Sequence, residues 1–543
     1  MKKYITIVGI VILGLILRLI FINKPDGLWN DEYVSWMIAT IPFGHNFIEA
    51  VKSQCHMPFY YLYLKFFMAL FGKSDILLRL TSVFAGILSI IAMYFTGKEK
   101  DEKTGLYCAG FSAISSFLIY YSQEVRLYQI LFLFSALSLL YTIKTIKQPN
   151  KLNFSLYALF NFLILFTHTI GFVFVFFNLI FLSIKLYKQF KKVIITVWVS
   201  ILTGGIILSP LIINILNGKS FSQWWGSFSF VKIAFLFTDY FSPILTNLTN
   251  SPDKFFYASK LAFFMIVPTL ICIFLIVKSL IKNKFNIGLF SICIATILVL
   301  SIASLSGKLV FITKYSIEIY PILIYLACYG IETIKNEKVK NSLIILYFAI
   351  SLGYILFAPY SAPKMHRAEG HKIPADILTQ FNLQKNDIIL LEYYSQDRFY
   401  KYFDFKNYRV IDINKGNFSQ YLKADTTYTD AYSNGKEIYR DIFKSDKNPD
   451  FENIIKKDVI DNLAPGQSVV LVILNSVAFY SPEKVKEIAE NDKLYNDTPL
   501  LFMVFSYVKN KAFIELSKSL TVTNLGQKGN WTLVKFTKFN NKT

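Results

Sequence analysis

The sequence predicts a polytopic α-helical membrane protein of about eleven transmembrane helices with a C-terminal extracytoplasmic α/β domain. Three observations carry that prediction. Of 543 residues, 54% are hydrophobic and only 17% charged, against roughly 25% charged in an ordinary soluble domain, and the mean hydropathy is +0.43. The 52 Phe and 34 Tyr suit a chain solvated by lipid tails and their interfaces. Apolar runs long enough to cross a hydrocarbon core of roughly 30 Å recur along the chain, and they stop near residue 358.

Nine such runs lie near 4–22, 75–97, 106–122, 125–143, 193–213, 260–281, 285–305, 316–334 and 341–358. A longer one, 154–184, is interrupted by Thr167-His168-Thr169-Ile170-Gly171, polar enough to be a hairpin tip between two short spans, and brings the number to eleven. Five Lys-rich stretches, Lys98 to Lys103, Lys144 to Lys151, Lys185 to Lys192, Lys278 to Lys284 and Lys335 to Lys340, belong in the cytoplasm by the positive-inside rule, together with Met1 to Lys3. Eleven spans put every one of them there. The apolar segment Met57 to Phe71 has 15 residues, which as a helix reach only about 22 Å. Counting it as a crossing would export all later Lys loops, so it reads as a juxtamembrane or re-entrant helix on the outer side. No small-x-small cleavage site follows the first apolar run, which reads as a retained span.

The same parity places outside the loop Asn23 to Ser74, the turn Tyr120 to Arg126, the loop Asn214 to Ser259, the turn Ser306 to Tyr315 and everything after Phe357. Composition divides the chain into a membrane domain, 1–360, and a soluble domain, 361–543. In the latter, Ile373 to Phe381, Arg398 to Phe403 and Pro482 to Glu490 read as helices, and Asp387 to Glu392, Arg409 to Asp412 and Ser468 to Leu474 as strands. Leu520 to Thr537 reads as a hairpin turning at Gly526 to Gly529. The net charge of +21 is not a nucleic-acid footprint: residues 361–543 hold 26 basic and 22 acidic side chains, so the excess sits between apolar segments. The five cysteines form no C-x-x-C pair and read as small buried hydrophobes.

Ionisable groups beside apolar spans are costly to bury and mark function by default. On the outer face converge Asp31 and Glu32 in Gly27-Leu28-Trp29-Asn30-Asp31-Glu32-Tyr33, His56 before Met57-Pro58, Arg79 opening a span, Gln123, Glu124 and Arg126, His168 at the hairpin tip, and Lys314-Tyr315. Each has a plainer reading by itself. Asp31 and Glu32 could be an acidic pair at a helix N-terminus, Arg79 and Arg126 snorkelling anchors, and His56 and His168 structural polar residues. Three carboxylates meeting bases on one face, from five separate loops, favour chemistry over that sum of accidents. Trp224-Trp225 reads as an interface anchor. Neither G-x-x-x-x-G-K nor G-x-G-x-x-G occurs, so a nucleotide-sugar or ATP donor has no motif behind it.

Asn30-Asp31-Glu32, His56-Met57-Pro58-Phe59-Tyr60-Tyr61, Phe71-Gly72-Lys73-Ser74 with Leu78-Arg79-Leu80, Tyr121-Ser122-Gln123-Glu124-Val125-Arg126-Leu127-Tyr128, and Thr167-His168 together resemble the pattern of bacterial glycosyltransferase family 39 membrane proteins. These are relatives of protein O-mannosyltransferases and aminoarabinose transferases and have the GT-C fold. The resemblance covers about the first 360 residues and is strongest over 28–170. His56-Met57-Pro58 stands where the pattern has His-Pro-Pro, Arg79-Leu80-Thr81-Ser82 where it has Arg-Leu-Pro-Ser, and Lys314-Tyr315 where it has Arg-Tyr. The last change keeps the charge and loses bidentate phosphate binding.

The resemblance implies an inverting transfer of a sugar from a polyprenyl-phosphate donor to an acceptor hydroxyl on a protein, lipid or cell-envelope glycan, at the outer face of the plasma or inner membrane. It implies Asp31 as general base with Glu32 orienting it, and Glu124 either on the sugar hydroxyls or in a divalent-metal site with His56 or His168. Arg126 and Lys314 would meet the phosphate, and Tyr315, Gln123, His56 and Arg79 complete the donor-binding set. No other cofactor is implied. The alternative is a transporter or flippase of lipid-linked sugars, but such proteins place substrate near the midplane and often carry repeats, whereas here the charges lie at one face.

If the lysine loops set the topology, a cysteine replacing Lys188 in a cysteine-free background stays unlabelled by an impermeant reagent in intact cells and reacts after permeabilisation. Labelling in intact cells would overturn the eleven-span count.

Overall fold

A backbone in hydrocarbon has no water to bond, so apolar spans must close their own hydrogen bonds as helices. The computed structural model shows that outcome, and describes residues 2–20, 22–23, 27–53, 57–217, 230–242, 259–305, 311–357, 370–391, 401–412, 440, 444, 455–474, 480–492, 500–528 and 531–539. His56, Cys55 and Trp224-Trp225 lie outside the described residues, as do the tip of the C-terminal hairpin and 398–400, while 401–403, expected to be helical, hold only a turn at 401–402.

In chain order the described helices begin with α1 (Lys2–Leu19), α2 (Asn30–Thr40), α3 (His45–Ser53), α4 (Phe59–Phe71), α5 (Asp75–Lys98), α6 (Glu102–Ile114) and α7 (Ser116–Ser122). Then come α8 (Tyr128–Lys147), α9 (Lys151–Thr167), α10 (Gly171–Asn217), α11 (Val231–Phe241), α12 (Ser259–Lys282), α13 (Lys284–Leu305), a 3-10 segment (Thr313–Ile319), α14 (Tyr320–Ile331) and α15 (Glu337–Phe357). Among the described residues five helical stretches are long and apolar enough to cross a membrane: Asp75–Lys98, Tyr128–Lys147, Gly171–Ile206, Lys284–Leu305 and Glu337–Leu356. The chain divides into two compact units, Met1–Ile22, Val34–Gly218 and Phe228–Met365 on one hand, Asn23–Tyr33, Lys219–Ser227 and His366–Thr543 on the other.

Several apolar runs differ from their reading as simple spans. The run 106–122 is two helices, α6 and α7, broken at Ser115, whose backbone is extended and whose hydroxyl caps α7 by accepting from the Leu118 N–H. The run 316–334 opens in the 3-10 segment and becomes α-helical only at Tyr320, where Pro321 fits the first turn because its missing N–H would have no partner there. Within Lys185 to Lys192, expected as a loop, α10 is interrupted at Phe190 (φ −126, ψ 34), where two helices meet at a kink with no intervening loop.

Small residues let the helices of the first unit meet backbone to backbone, as lipid-embedded packing requires. A Cβ at Gly330 of α14 would lie 1.9 Å from the Leu275 carbonyl oxygen of α12, and one at Gly97 of α5 would lie 2.6 Å from the Thr104 carbonyl oxygen of α6. Polar side chains cross-link where they cannot be solvated. Asn178 of α10 donates to Ser138 of α8 (3.0 Å) and to Asn161 of α9 (3.2 Å), and Thr142 donates back to Asn178 (3.1 Å).

The second unit contains a five-stranded sheet, β1 (Ile388–Leu391), β2 (Arg409–Asp412), β3 (Ser468–Leu474), β4 (Thr521–Lys528) and β5 (Trp531–Thr537), in the order β2-β1-β3-β5-β4. β1 runs parallel to β2 and β3, and β5 antiparallel to β3 and β4. β3 is buried along its whole length, which is why it reads as a continuous apolar run, while the edge strand β4 is exposed almost throughout. Helices α16 (Lys372–Gln380), α17 (Pro482–Glu490) and α18 (Leu500–Ser519) complete the described part. Ile373, Ile377 and Leu378 of α16 join the sheet's core with Trp531 and Phe536.

Candidate functional site

The site begins where α7 ends. Among the residues at that turn, Gln123 is buried and its amide nitrogen donates to the carbonyls of Arg18 and Ile20, both at 2.8 Å, at the C-terminal end of α1. Arg79, also buried, donates through Nη1 to the Ile22 carbonyl (3.1 Å). Both residues, expected in the donor-binding set, here hold the chain that leaves α1. Glu124 follows on the same turn: Tyr120 donates its hydroxyl to Oε1 at 2.9 Å, and Ser82 donates to the Glu124 backbone carbonyl.

Arg126 and Lys314 reach one aromatic ring from separate elements. The Arg126 guanidinium lies 6.0 Å from the Tyr128 ring centroid and donates through Nη1 to Ser35 of α2 at 3.4 Å. Lys314, on the 3-10 segment, places Nζ 5.4 Å from the Tyr128 ring and 5.6 Å from the Tyr315 ring. All four side chains are buried. A ring face attracts a cation by its quadrupole, so Tyr128 is a common neighbour of two positive groups.

His168 adjoins the same rings. Its imidazole centroid lies 6.4 Å from that of Tyr128 and 6.1 Å from that of Tyr315. As the cap of α9 it leaves the helix with extended backbone, and its Nδ1 lies 3.2 Å from Oε1 of Glu318, a buried carboxylate on the 3-10 segment. Glu318 Oε2 has no hydrogen-bond partner among the described residues. Gly171 keeps this approach open: a Cβ there would sit 3.6 Å from Glu318 Oε1 and 2.6 Å from Ile164 Cγ2.

The 3-10 segment is braced from behind by α11. Thr313 donates its hydroxyl to the buried Asp239 (2.6 Å), and the Tyr240 hydroxyl donates to the Ser316 carbonyl at 2.7 Å. Tyr320 stacks on Tyr240 with centroids 4.3 Å apart, donates its hydroxyl to the Tyr240 carbonyl, and meets the Ser115 hydroxyl at 2.9 Å. Sequence reading missed Glu318, Asp239, Tyr128 and Ser35. Glu318 carried a signal, being an ionisable residue four positions after Lys314 at the mouth of an apolar run. Asp239 lay in a loop whose helix was not foreseen.

Asp31 and Glu32 belong to the second unit and stand in the first turn of α2, where Glu32 is buried and its Oε2 accepts from the Trp29 N–H at 3.3 Å. That is the reach-back of an acidic side chain onto the open donors of a helix start. Among the described residues no group of three or more His, Cys, Asp or Glu side chains gathers as metal ligands. Glu124 and His168 have the partners given above, and His56 is outside the described residues.

Residues 55–213 match the protein-family model described as dolichyl-phosphate-mannose-protein mannosyltransferase. No curated protein matches the sequence. Among solved structures, ArnT from Cupriavidus metallidurans in the apo state aligns over 97% of both chains with a TM-score of 0.50 at 11% identity. The same protein bound to undecaprenyl phosphate aligns equally far at 10% identity, with a TM-score of 0.50. The Saccharomyces cerevisiae protein O-mannosyltransferase Pmt1-Pmt2 complex bound to the sugar donor aligns with 40% of this chain and 33% of its own, at 18% identity and a TM-score of 0.30. The chain has the GT-C fold with a C-terminal sheet domain.

The Glu318 and His168 pairing has a direct check. Glu318→Leu leaves the buried imidazole without its acceptor and should cost about 1–3 kcal/mol, read as a lowered melting temperature in detergent, while Glu318→Gln, which keeps an oxygen acceptor, should cost less. A Leu variant that melts like the parent would refute the pairing.

Proposed function

We propose that this multi-pass membrane protein, with its family-model match over residues 55–213 and its GT-C fold, transfers a sugar from a polyprenyl-phosphate donor to an acceptor hydroxyl on a protein, lipid or cell-envelope glycan. The observation that carries the reading is the convergence of Arg126 and Lys314 on the Tyr128 ring, buried and beside Tyr315 and His168. Two buried cations gathered on a neutral ring suit a phosphate that gains negative charge during reaction. The undecaprenyl phosphate in the ArnT structure is a ligand of that chemical kind.

The reaction then runs as a single displacement. The acceptor hydroxyl attacks the anomeric carbon, Asp31 takes its proton as the new C–O bond forms, and the old C–O bond breaks with its electron pair left on the phosphate oxygen. Attack and departure on opposite faces invert the anomeric carbon. An alcohol is a poor nucleophile at neutral pH, which is why a positioned carboxylate is needed, with Glu32 orienting it. Arg126 and Lys314 stabilise the phosphate monoester as it forms, and Glu124 and Glu318 supply carboxylate acceptors for sugar hydroxyls. The lysine loops support an orientation with a cytoplasmic N-terminus and the domain after residue 360 on the outer side of the plasma or inner membrane.

The test is transfer of radiolabel from a panel of undecaprenyl-phosphate-linked hexoses and pentoses into membrane extract. Asp31→Asn should lower turnover by roughly 10²–10⁴ with protein level unchanged. Arg126→Gln and Lys314→Gln should each weaken undecaprenyl-phosphate affinity by about 1.5–3 kcal/mol without lowering the melting temperature. Unaltered affinity in both would remove the phosphate role and return them to depth anchors.

A further inference from the structure

The second unit holds more than the sheet. Its segment Asn23–Tyr33 contains Asp31 and Glu32, and Leu28 of that segment is bonded to the C-terminal domain through both its N–H and its carbonyl. The Leu28 N–H donates to the Tyr402 hydroxyl at 2.8 Å, and the His371 N–H donates to the Leu28 carbonyl at 3.0 Å. Leu28 is fully buried between these bonds. One residue earlier, Gly27 adopts φ +95, and a Cβ there would lie 2.6 Å from both the Lys372 nitrogen and its Cβ. Only glycine fits, both for its backbone angle and for the closeness of α16.

These contacts continue into the rigid core. The His371 ring packs edge-on to Tyr33 at 5.6 Å and to Trp531 at 6.3 Å. Trp531 opens β5 and is buried in the sheet's core, against which α16 is held by Ile373 and Ile377. A chain of packed groups therefore runs from the sheet through Trp531 and His371 to Tyr33, and a second through Tyr402 to Leu28. Asp31 lies between Leu28 and Tyr33.

We propose that the C-terminal domain is the positioning device for the Asp31-Glu32 turn, with Tyr402 and Gly27 as positioning residues that set where the carboxylates stand. The inference rests on the proposed role of Asp31 and deepens it by giving the soluble domain a task in the same reaction. A displacement of about 1 Å at a reacting group costs up to roughly 100-fold in rate. Loss of a single hydroxyl at residue 402 should therefore slow turnover without touching binding of the lipid phosphate.

The test uses the full chain in detergent. Tyr402→Phe and Gly27→Ala should lower kcat for label transfer from undecaprenyl-phosphate sugars by about 10- to 100-fold, measured well below their melting transitions, with undecaprenyl-phosphate affinity unchanged. The melting temperature should be lowered in both, since one orphans the buried Leu28 N–H and the other strains the chain at residue 27. Tyr408→Phe, a half-buried tyrosine elsewhere in the same domain, should leave all three unchanged. Hydrogen exchange over residues 27–33 should quicken in Tyr402→Phe and not in Tyr408→Phe. Unchanged exchange, or a kcat within about twofold of the parent while Asp31→Asn is inactive, would overturn the positioning role alone. A fully active Asp31→Asn would overturn the underlying reading and this inference together.

Discussion

A helix that ends inside a membrane leaves carbonyls with nothing to bond, and α6 ends at Ile114 in the middle of an apolar run. Arg18 answers that demand. Its guanidinium donates to the Ser112 and Ala113 carbonyls and to the Ser122 hydroxyl, each at 3.0 Å, from a fully buried position on α1. The positive charge also sits where the partial negative end of α6 favours it. Gly86 on α5 makes the room, since a Cβ there would lie 2.8 Å from Arg18 Nε. Gln123 returns the favour to α1, whose last carbonyls it satisfies. The two side chains lock the end of α1 to both ends of α7, so the turn that presents Glu124 and Arg126 has a fixed origin.

From that turn the site grows by hydrogen bonds and ring contacts. Ser115, which breaks the span, also meets Tyr320, whose stacking partner Tyr240 braces the segment carrying Lys314 and Glu318. One break in a helix thus orients two separate parts of the site. Each carboxylate found here meets a hydroxyl or an imidazole: Glu124 meets Tyr120, Asp239 meets Thr313 and Glu318 meets His168. Such partners satisfy lone pairs in a low dielectric, where an unpartnered charge would be costly.

Much of this was legible in the sequence. Apolar length and lysine placement gave the helical part, and short apolar runs bounded by turn residues located the five described strands, among them Ile388–Leu391 and Ser468–Leu474. What was not legible has physical reasons. Ser115 breaks a run whose hydropathy is unbroken, because serine is nearly neutral on such a scale and the break is stabilised by Arg18 far away in sequence. The 20-residue α18 was missed because its apolar positions follow no clean stripe. Asp31, Glu124, Arg126, His168 and Lys314 stood out as ionisable groups near lipid, while Glu318 hid inside a segment read as a span. The tethering of Leu28 to Tyr402 and His371 is a tertiary contact across more than 300 residues, beyond any local pattern.

The choice of a tyrosine beneath two cations is itself informative. A carboxylate at residue 128 would hold Arg126 and Lys314 more tightly, and in a buried site it would cancel much of the field they project. An aromatic ring attracts each cation by about 0.5–2 kcal/mol, enough to set side-chain direction, and leaves both formal charges intact. The ring's edge and hydroxyl remain for packing against Tyr121, whose centroid lies 4.9 Å away, and His168 at 6.4 Å. Tyr128 therefore helps fix where the two cationic side chains lie, from one helix start that both can reach.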